Sequence, residues 1–157
     1  MRLLVAGGGT GGHLYPGIAL AEEFRARGAE VLFVGTVRGI EVRAVPKAGF
    51  QLETINVSGL KRMGVLGTLT SLGKLPGSFL QARNILKRFK PDVVVGVGGY
   101  ASGPMVMAAS LSGVPTAVLE QNSVPGLTNR ILGKVVKRVF GTFAASAGFF
   151  PSEKFVR

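Results

Sequence analysis

Leu3-Leu4-Val5-Ala6, then Gly7-Gly8-Gly9-Thr10-Gly11-Gly12-His13, then a helix-like segment reaching Arg27: this opening stretch decides the fold. The apolar run reads as a short buried strand, Arg2 to Ala6. The helix behind it spans Tyr15 to Arg27, with Leu20, Ala21 and Phe24 at helical spacing, Ile18 beside them and Gly28 as its natural stop. Between strand and helix, glycines allow a tight turn and bring backbone N–H groups close to a bound anion. The helix N-terminus adds partial positive charge to the same place. A strand, a glycine turn and a helix in that order form a phosphate cradle.

Working outward, the same grammar repeats. Val31 to Val34 reads as a second strand, Ile40 to Val45 as a short helix, and Phe50 to Ile55 as a third strand. A long helical region, expected to break at Pro76-Gly77, runs to Phe89. Val93-Val94-Val95 is an apolar strand ending in a second glycine turn, Gly96-Val97-Gly98-Gly99-Tyr100. A helix over Ser102–Ser112, a strand over Pro115–Leu119, a helix over Gly126–Lys134 and a strand over Lys137–Phe140 complete the pattern. Strands apolar throughout and alternating with helices predict a parallel sheet covered on both faces, an α/β, Rossmann-like, doubly wound fold. Ligands of such sheets bind beyond the carboxyl ends of the strands. That edge gathers Gly7–His13, Gly96–Tyr100 and Glu120-Gln121-Asn122.

Length and composition bound the answer. The 157 residues fit one domain or half of a larger architecture, and 46% hydrophobic against 17% charged residues allows a sizeable core. The absence of cysteine excludes disulfides and thiolate chemistry, and a single histidine excludes a histidine metal cluster. No metal site and no cofactor is expected. A net charge of +11 points to an anionic partner. The uncharged stretch from Val93 to Leu119 is cut by glycine and proline into pieces too short to cross a bilayer. The N-terminal apolar run is too short for a signal peptide, so a cytoplasmic protein is expected.

Gly7, Gly9 and Gly12 satisfy G-x-G-x-x-G, a weak signal by itself. The nicotinamide version needs an acidic residue about 20 positions on, at the end of the second strand. That neighbourhood reads Phe33-Val34-Gly35-Thr36-Val37-Arg38, with no carboxylate. Arg38 is able to meet a 2′-phosphate, so an NADP-binding oxidoreductase domain is the alternative reading. No Gly-Lys-Ser/Thr follows the glycines, which excludes the nucleoside-triphosphate P-loop.

Taken together, Gly7 to Phe24, Val57-Ser58-Gly59-Leu60, Lys90-Pro91-Asp92 to Gly103-Pro104, and Glu120-Gln121-Asn122 through Gly126-Leu127-Thr128-Asn129 resemble, in order, the peptidoglycan N-acetylglucosaminyltransferase family. The resemblance runs essentially the length of the chain. It implies one half of a two-domain B-type glycosyltransferase. Residues 1–157 would be the N-terminal, acceptor-binding domain, and the donor-nucleotide domain would be absent, leaving this chain inactive by itself. The implied reaction is inverting transfer of N-acetylglucosamine from UDP-N-acetylglucosamine to undecaprenyl-pyrophosphoryl-muramyl-pentapeptide (lipid I), giving lipid II. The implied location is peripheral, on the cytoplasmic face of the plasma membrane. A third reading is a non-catalytic phosphate-ligand or lipid-binding module.

Individual residues then take expected roles. The backbone of Gly8, Gly9, Thr10, Gly11 and Gly12 suits a pyrophosphate, and the resemblance places Thr10, Gly11 and Gly12 near the donor sugar-nucleotide. Gly98, Gly99 and Tyr100 form a second cradle, unless those glycines serve only close packing. His13, where loop becomes helix, reads either as a general base for a sugar hydroxyl or as a positioning group. Glu120, read as the only carboxylate on the edge, is the rival base or orients a neighbouring loop. Asn122 offers an amide for sugar hydroxyls, with the resemblance favouring the donor sugar. Thr128 and Asn129 either support that loop or touch the acceptor.

Residues 60–90 are both basic and greasy. No acidic residue lies between Thr54 and Pro91, whereas Lys61, Arg62, Lys74, Arg83, Lys87, Arg88 and Lys90 occur among Leu60, Met63, Val65, Leu66, Leu69, Leu72, Leu75, Phe79 and Leu80. A cation-rimmed apolar patch predicts attachment to an anionic membrane, at about 1 kcal/mol per basic residue near the surface. Nucleic acid is not expected, because two tyrosines and no tryptophan give no stacking platform.

Overall fold

A computed structural model describes residues 1–57 and 75–157. Its strands form one seven-stranded, all-parallel sheet in the order β3-β2-β1-β4-β5-β6-β7. These are β1 (Arg2–Gly7), β2 (Glu30–Thr36), β3 (Gln51–Ile55), β4 (Val93–Gly98), β5 (Thr116–Glu120), β6 (Arg138–Gly141) and β7 (Phe155–Val156). Among the described residues the helices are α1 (Gly11–Ala26), α2 (Glu41–Lys47), α3 (Leu75–Phe89), α4 (Ser102–Leu111) and α5 (Leu127–Leu132), with a 3-10 turn at Ala144–Phe149. The doubly wound expectation is met, and strand order reverses between β1 and β4.

Alternation along the strands builds two cores, one on each face of the sheet. Leu3 and Val5 of β1, Phe33 of β2 and Val95 and Val97 of β4 face α1 and α2 through Leu14, Ile18, Ala21 and Val45. Leu4 and Ala6, Leu32 and Val34, and Val94 face the other way, onto Ala82, Ile85 and Leu86 of α3 and Met105, Val106 and Ala109 of α4. Burial of both faces is why these strands are continuous apolar runs.

α1 begins inside the glycine run, four residues earlier than expected, with Thr10 in extended conformation as its N-cap. Pro16 is therefore an interior residue of the helix. The buried face is Leu14, Gly17, Ile18 and Ala21, while Leu20 and Phe24 are only half-buried. Gly17 sets the depth of contact: a Cβ there would lie 3.2 Å from Val97 and 3.3 Å from Val5, so a glycine lets α1 rest directly on the sheet. Gly28, with φ of +80°, ends the helix as expected.

Pro16 is not the only proline that helices accommodate. Pro76 and Gly77 fall in the first turn of α3, where the missing N–H of Pro76 has no helical partner to lose, and the helical stretch expected before them lies outside the described residues. Ala82, Ile85 and Leu86 are buried at helical spacing while Arg83, Lys87 and Arg88 are exposed. The rest of the basic, greasy segment, including Lys61, Arg62, Lys74 and Leu60 to Leu72, lies outside the described residues. The 3-10 turn and β7 were not foreseen.

Candidate functional site

The reversal of strand order opens a crevice at the carboxyl ends of β1 and β4, and the two glycine loops meet there. The Gly8 N–H donates to the Gly98 carbonyl at 3.2 Å. A side chain on Gly99 would run into the Gly8 carbonyl, and Gly99 also has φ of +83°. Close apposition of two loops, more than helix–strand packing, therefore explains the second glycine pair. Beneath them the buried Ser102 hydroxyl donates to the Ala6 carbonyl at 2.6 Å and accepts from the Gly98 N–H at 3.0 Å. One oxygen thus ties the end of β1 to the end of β4.

Glu120 is not the only carboxylate on this edge. Glu41, the first residue of α2, folds back beneath the first loop and is fully buried. One of its oxygens accepts from the Gly9 N–H at 2.8 Å. The other accepts from the Thr36 N–H and hydroxyl, each at 2.8 Å. Burial pushes the carboxyl's pKa up, but hydrogen bonds from the Gly9, Thr36 and Glu41 backbone and from the Thr36 hydroxyl outweigh it. The group is held below its ordinary value. Residues 33–38 hold no carboxylate; the one that reaches β2's end comes from the next helix. It is already committed inside the protein.

This arrangement divides the first cradle. The N–H groups of Gly8 and Gly9 have protein partners, and a buried negative charge lies against Gly8. A second anion is repelled from that side. The N–H groups of Gly11 and Gly12 open the first turn of α1 and have no acceptor among the described residues. The open part of the expected Gly8–Gly12 cradle is therefore Thr10 to Gly12, all of it at least partly exposed.

His13, the third residue of α1, is half-buried over Gly98, where an added Cβ would lie 2.7 Å from its Nδ1. Its Nδ1 is in short contact with the Gln121 amide nitrogen, which also donates to the Val97 carbonyl at 3.2 Å. The sequence places Gln121 on this edge, within Glu120-Gln121-Asn122, but assigns it no role. Its partner is 108 residues away, so no local signal exposes it.

Glu120 is fully buried at the end of β5. It accepts from the Asn122 N–H and side-chain amide, both at 2.9 Å, and from the buried Asn129 amide, also at 2.9 Å. This geometry orients the loop. Asn122 is exposed and held by Glu120, its amide oxygen without a partner among the described residues, whereas Asn129 is buried and holds the other oxygen of Glu120. Thr128 is half-buried on α5, and Tyr100 stands 41% exposed beyond the second loop. His13, Gln121, Tyr100, Asn122 and the open donors of the first loop thus belong to one edge.

An all-parallel Rossmann-like sheet with paired glycine loops at its switch point is the architecture that forms half of a B-type glycosyltransferase. The glycosyltransferase family 28 N-terminal domain matches residues 3–141, and the chain belongs to that family. It is 59% identical over 156 residues to the UDP-N-acetylglucosamine–N-acetylmuramyl-(pentapeptide) pyrophosphoryl-undecaprenol N-acetylglucosamine transferase of Myxococcus xanthus. It is 56% identical over 156 residues to the protein of the same name from Syntrophus aciditrophicus. Both alignments cover 98% of this chain but 41% and 43% of those proteins, so the chain spans about two fifths of their length. The crystal structure of Acinetobacter baumannii MurG superposes with a TM-score of 0.86 at 33% identity, covering 99% of this chain and 44% of that one. The oxidoreductase alternative finds no support in these relatives.

Proposed function

We propose that the chain is the acceptor-side domain of an enzyme that moves N-acetylglucosamine from UDP-N-acetylglucosamine to the muramyl 4-hydroxyl of lipid I, giving lipid II. The observation that carries this is the 59% identity, over nearly the whole chain, to the Myxococcus xanthus transferase. The site supports it chemically. Free N–H groups at Gly11 and Gly12, at the positive end of α1, suit a pyrophosphate oxygen. Asn122, oriented by Glu120, presents an amide to sugar hydroxyls. Tyr100 flanks the second loop, and His13 stands between the two. Inverting displacement requires the acceptor hydroxyl to be held in line behind the anomeric carbon, which is a task of positioning. A second domain would hold the nucleotide and close the cleft, so the 157 residues alone are expected not to turn over.

The test is to fuse this chain to the C-terminal remainder of the Myxococcus xanthus relative and measure UDP release with a lipid I analogue. Transfer by the fusion, and none by the chain alone, is the expected result. A folded fusion that transfers nothing, beside an active parent, would overturn the reading. Binding of NADPH by the chain would restore the oxidoreductase alternative.

The same reading puts the domain on an anionic membrane surface as a peripheral protein. Leu80 and Leu111 are 60% and 72% exposed, and Phe79, Arg83, Leu111 and Ser112 line one surface depression. No helix among the described residues is long and apolar enough to cross a membrane. The attachment proposed is through this face, with the cations and leucines that the sequence carries at 60–74 adding to it. Sedimentation with vesicles should rise with anionic lipid and fall with salt; indifference to both would remove the electrostatic part.

A further inference from the structure

We infer that Gln121 is a positioning residue that fixes His13 in its Nε2–H tautomer, so that His13 offers the crevice a hydrogen-bond donor and not a lone pair. The role assigned to His13 in transfer rests on the function proposed above; the tautomer itself does not.

A neutral imidazole carries one proton, and whichever ring nitrogen accepts a hydrogen bond leaves the other to donate. Here the partner of Nδ1 is a side-chain amide, whose nitrogen donates and whose oxygen accepts. The Val97 carbonyl decides which end faces the ring, because the same Gln121 nitrogen lies 3.2 Å from it and donates to it. Turning the amide over would set its oxygen against the Val97 carbonyl oxygen and bury an NH2 where the present oxygen has no partner. One unpaired acceptor is the lesser fault, since a carbonyl oxygen tolerates an unmet lone pair better than two N–H groups tolerate none. The amide nitrogen therefore gives one hydrogen to Val97 and the other to His13 Nδ1.

The ring has little freedom to escape this. It lies against Gly98, where even a methyl group would come within 2.9 Å of its Cε1, and its backbone is fixed in the first turn of α1. A proton on Nδ1 would set two N–H groups face to face. Nε2, on the far side of the ring, has no hydrogen-bond partner among the described residues. The group presented is thus an N–H, suited to a phosphate or hydroxyl oxygen. General-base catalysis at Nε2 would require the opposite tautomer, with an acceptor where Gln121 places a donor.

His13 is the only histidine in the chain, so nitrogen NMR of histidine-labelled protein reads this one ring without assignment. At a pH where the ring is neutral, the 157-residue chain should show the Nε2–H pattern alone, Nδ1 carrying the shift of an unprotonated nitrogen. In Gln121→Leu, which keeps the bulk and removes the donor, the spectrum should relax toward the mixture of free imidazole. In Gln121→Glu it should move toward Nδ1–H. A native spectrum with Nδ1–H dominant overturns the assignment, as does a Gln121→Leu spectrum identical to wild type. The donor role is read separately in the active fusion. His13→Gln, which restores an amide N–H near the Nε2 position, should transfer at least tenfold faster than His13→Ala. Equal loss in the two variants overturns the donor role while leaving the tautomer standing. An inactive wild-type fusion would tell against the transferase reading and not against the tautomer.

Discussion

Glu41 and Glu120 are both fully buried carboxylates at the carboxyl edge of the sheet, and each accepts three hydrogen bonds from neighbouring residues. They differ in reach. Glu120 binds Asn122 and Asn129, two and nine residues away, and so organises its own loop. Glu41 binds Thr36 nearby but also Gly9, 32 residues earlier, and so holds a loop that belongs to another strand. A buried anion can therefore be a local brace or a long-range anchor, depending on where its donors lie along the chain.

The sharpest way to break the contrast is Glu41→Ala. It strands the Gly9 N–H and both Thr36 donors, and should lower stability by about 3 kcal/mol, read by chemical denaturation. Hydrogen exchange should quicken at Gly9 as well as around Thr36. Glu120→Ala comes next, at about 2 kcal/mol, with faster exchange confined to residues 119–130 and the first loop unaffected. If Glu120→Ala loosened the first loop as much as Glu41→Ala did, the distinction would fail.

pH sharpens it further. Because the folded pKa of Glu41 lies below its unfolded value, its ionisation adds stability that is fully present above the unfolded value of about 4.3. That stability is lost as pH falls through the folded value. Thermal melts of wild type and Glu41→Gln should accordingly converge in acid; a gap constant down to the lowest pH would contradict this. The smallest effect is that of Thr36→Val, which removes only the hydroxyl bond and should cost about 1 kcal/mol.

Much of the fold was legible because its signals are local. Apolar runs such as Leu3–Ala6 and Val93–Val95 name buried strands, and the glycine turns behind them name the edge where the two loops meet. What stayed hidden depends on distance or on weak pattern. Glu41 lies beyond the end of β2 on a helix of seven residues, and nothing near it announces that it turns back to Gly9. Gln121 is chemically plain until His13 is beside it. The start of α1 was misplaced because glycines are poor helix formers, yet Gly11 and Gly12 are helical here, held by the packing of Leu14 and Gly17 behind them. β7 has two residues, too few to show any period. The basic character of this segment was readable as composition, and Arg83, Lys87 and Arg88 on α3 are exposed, but composition alone does not say which leucines face inward.

The Ser102 oxygen has a consequence of its own. Since it holds the Ala6 carbonyl and the Gly98 N–H together, and Gly98 in turn holds Gly8, the two loops do not settle independently. Whatever steadies one lowers the entropy still to be lost by the other. A disturbance at either loop is therefore felt at the other, and the pair holds its shape as one unit through a single hydroxyl.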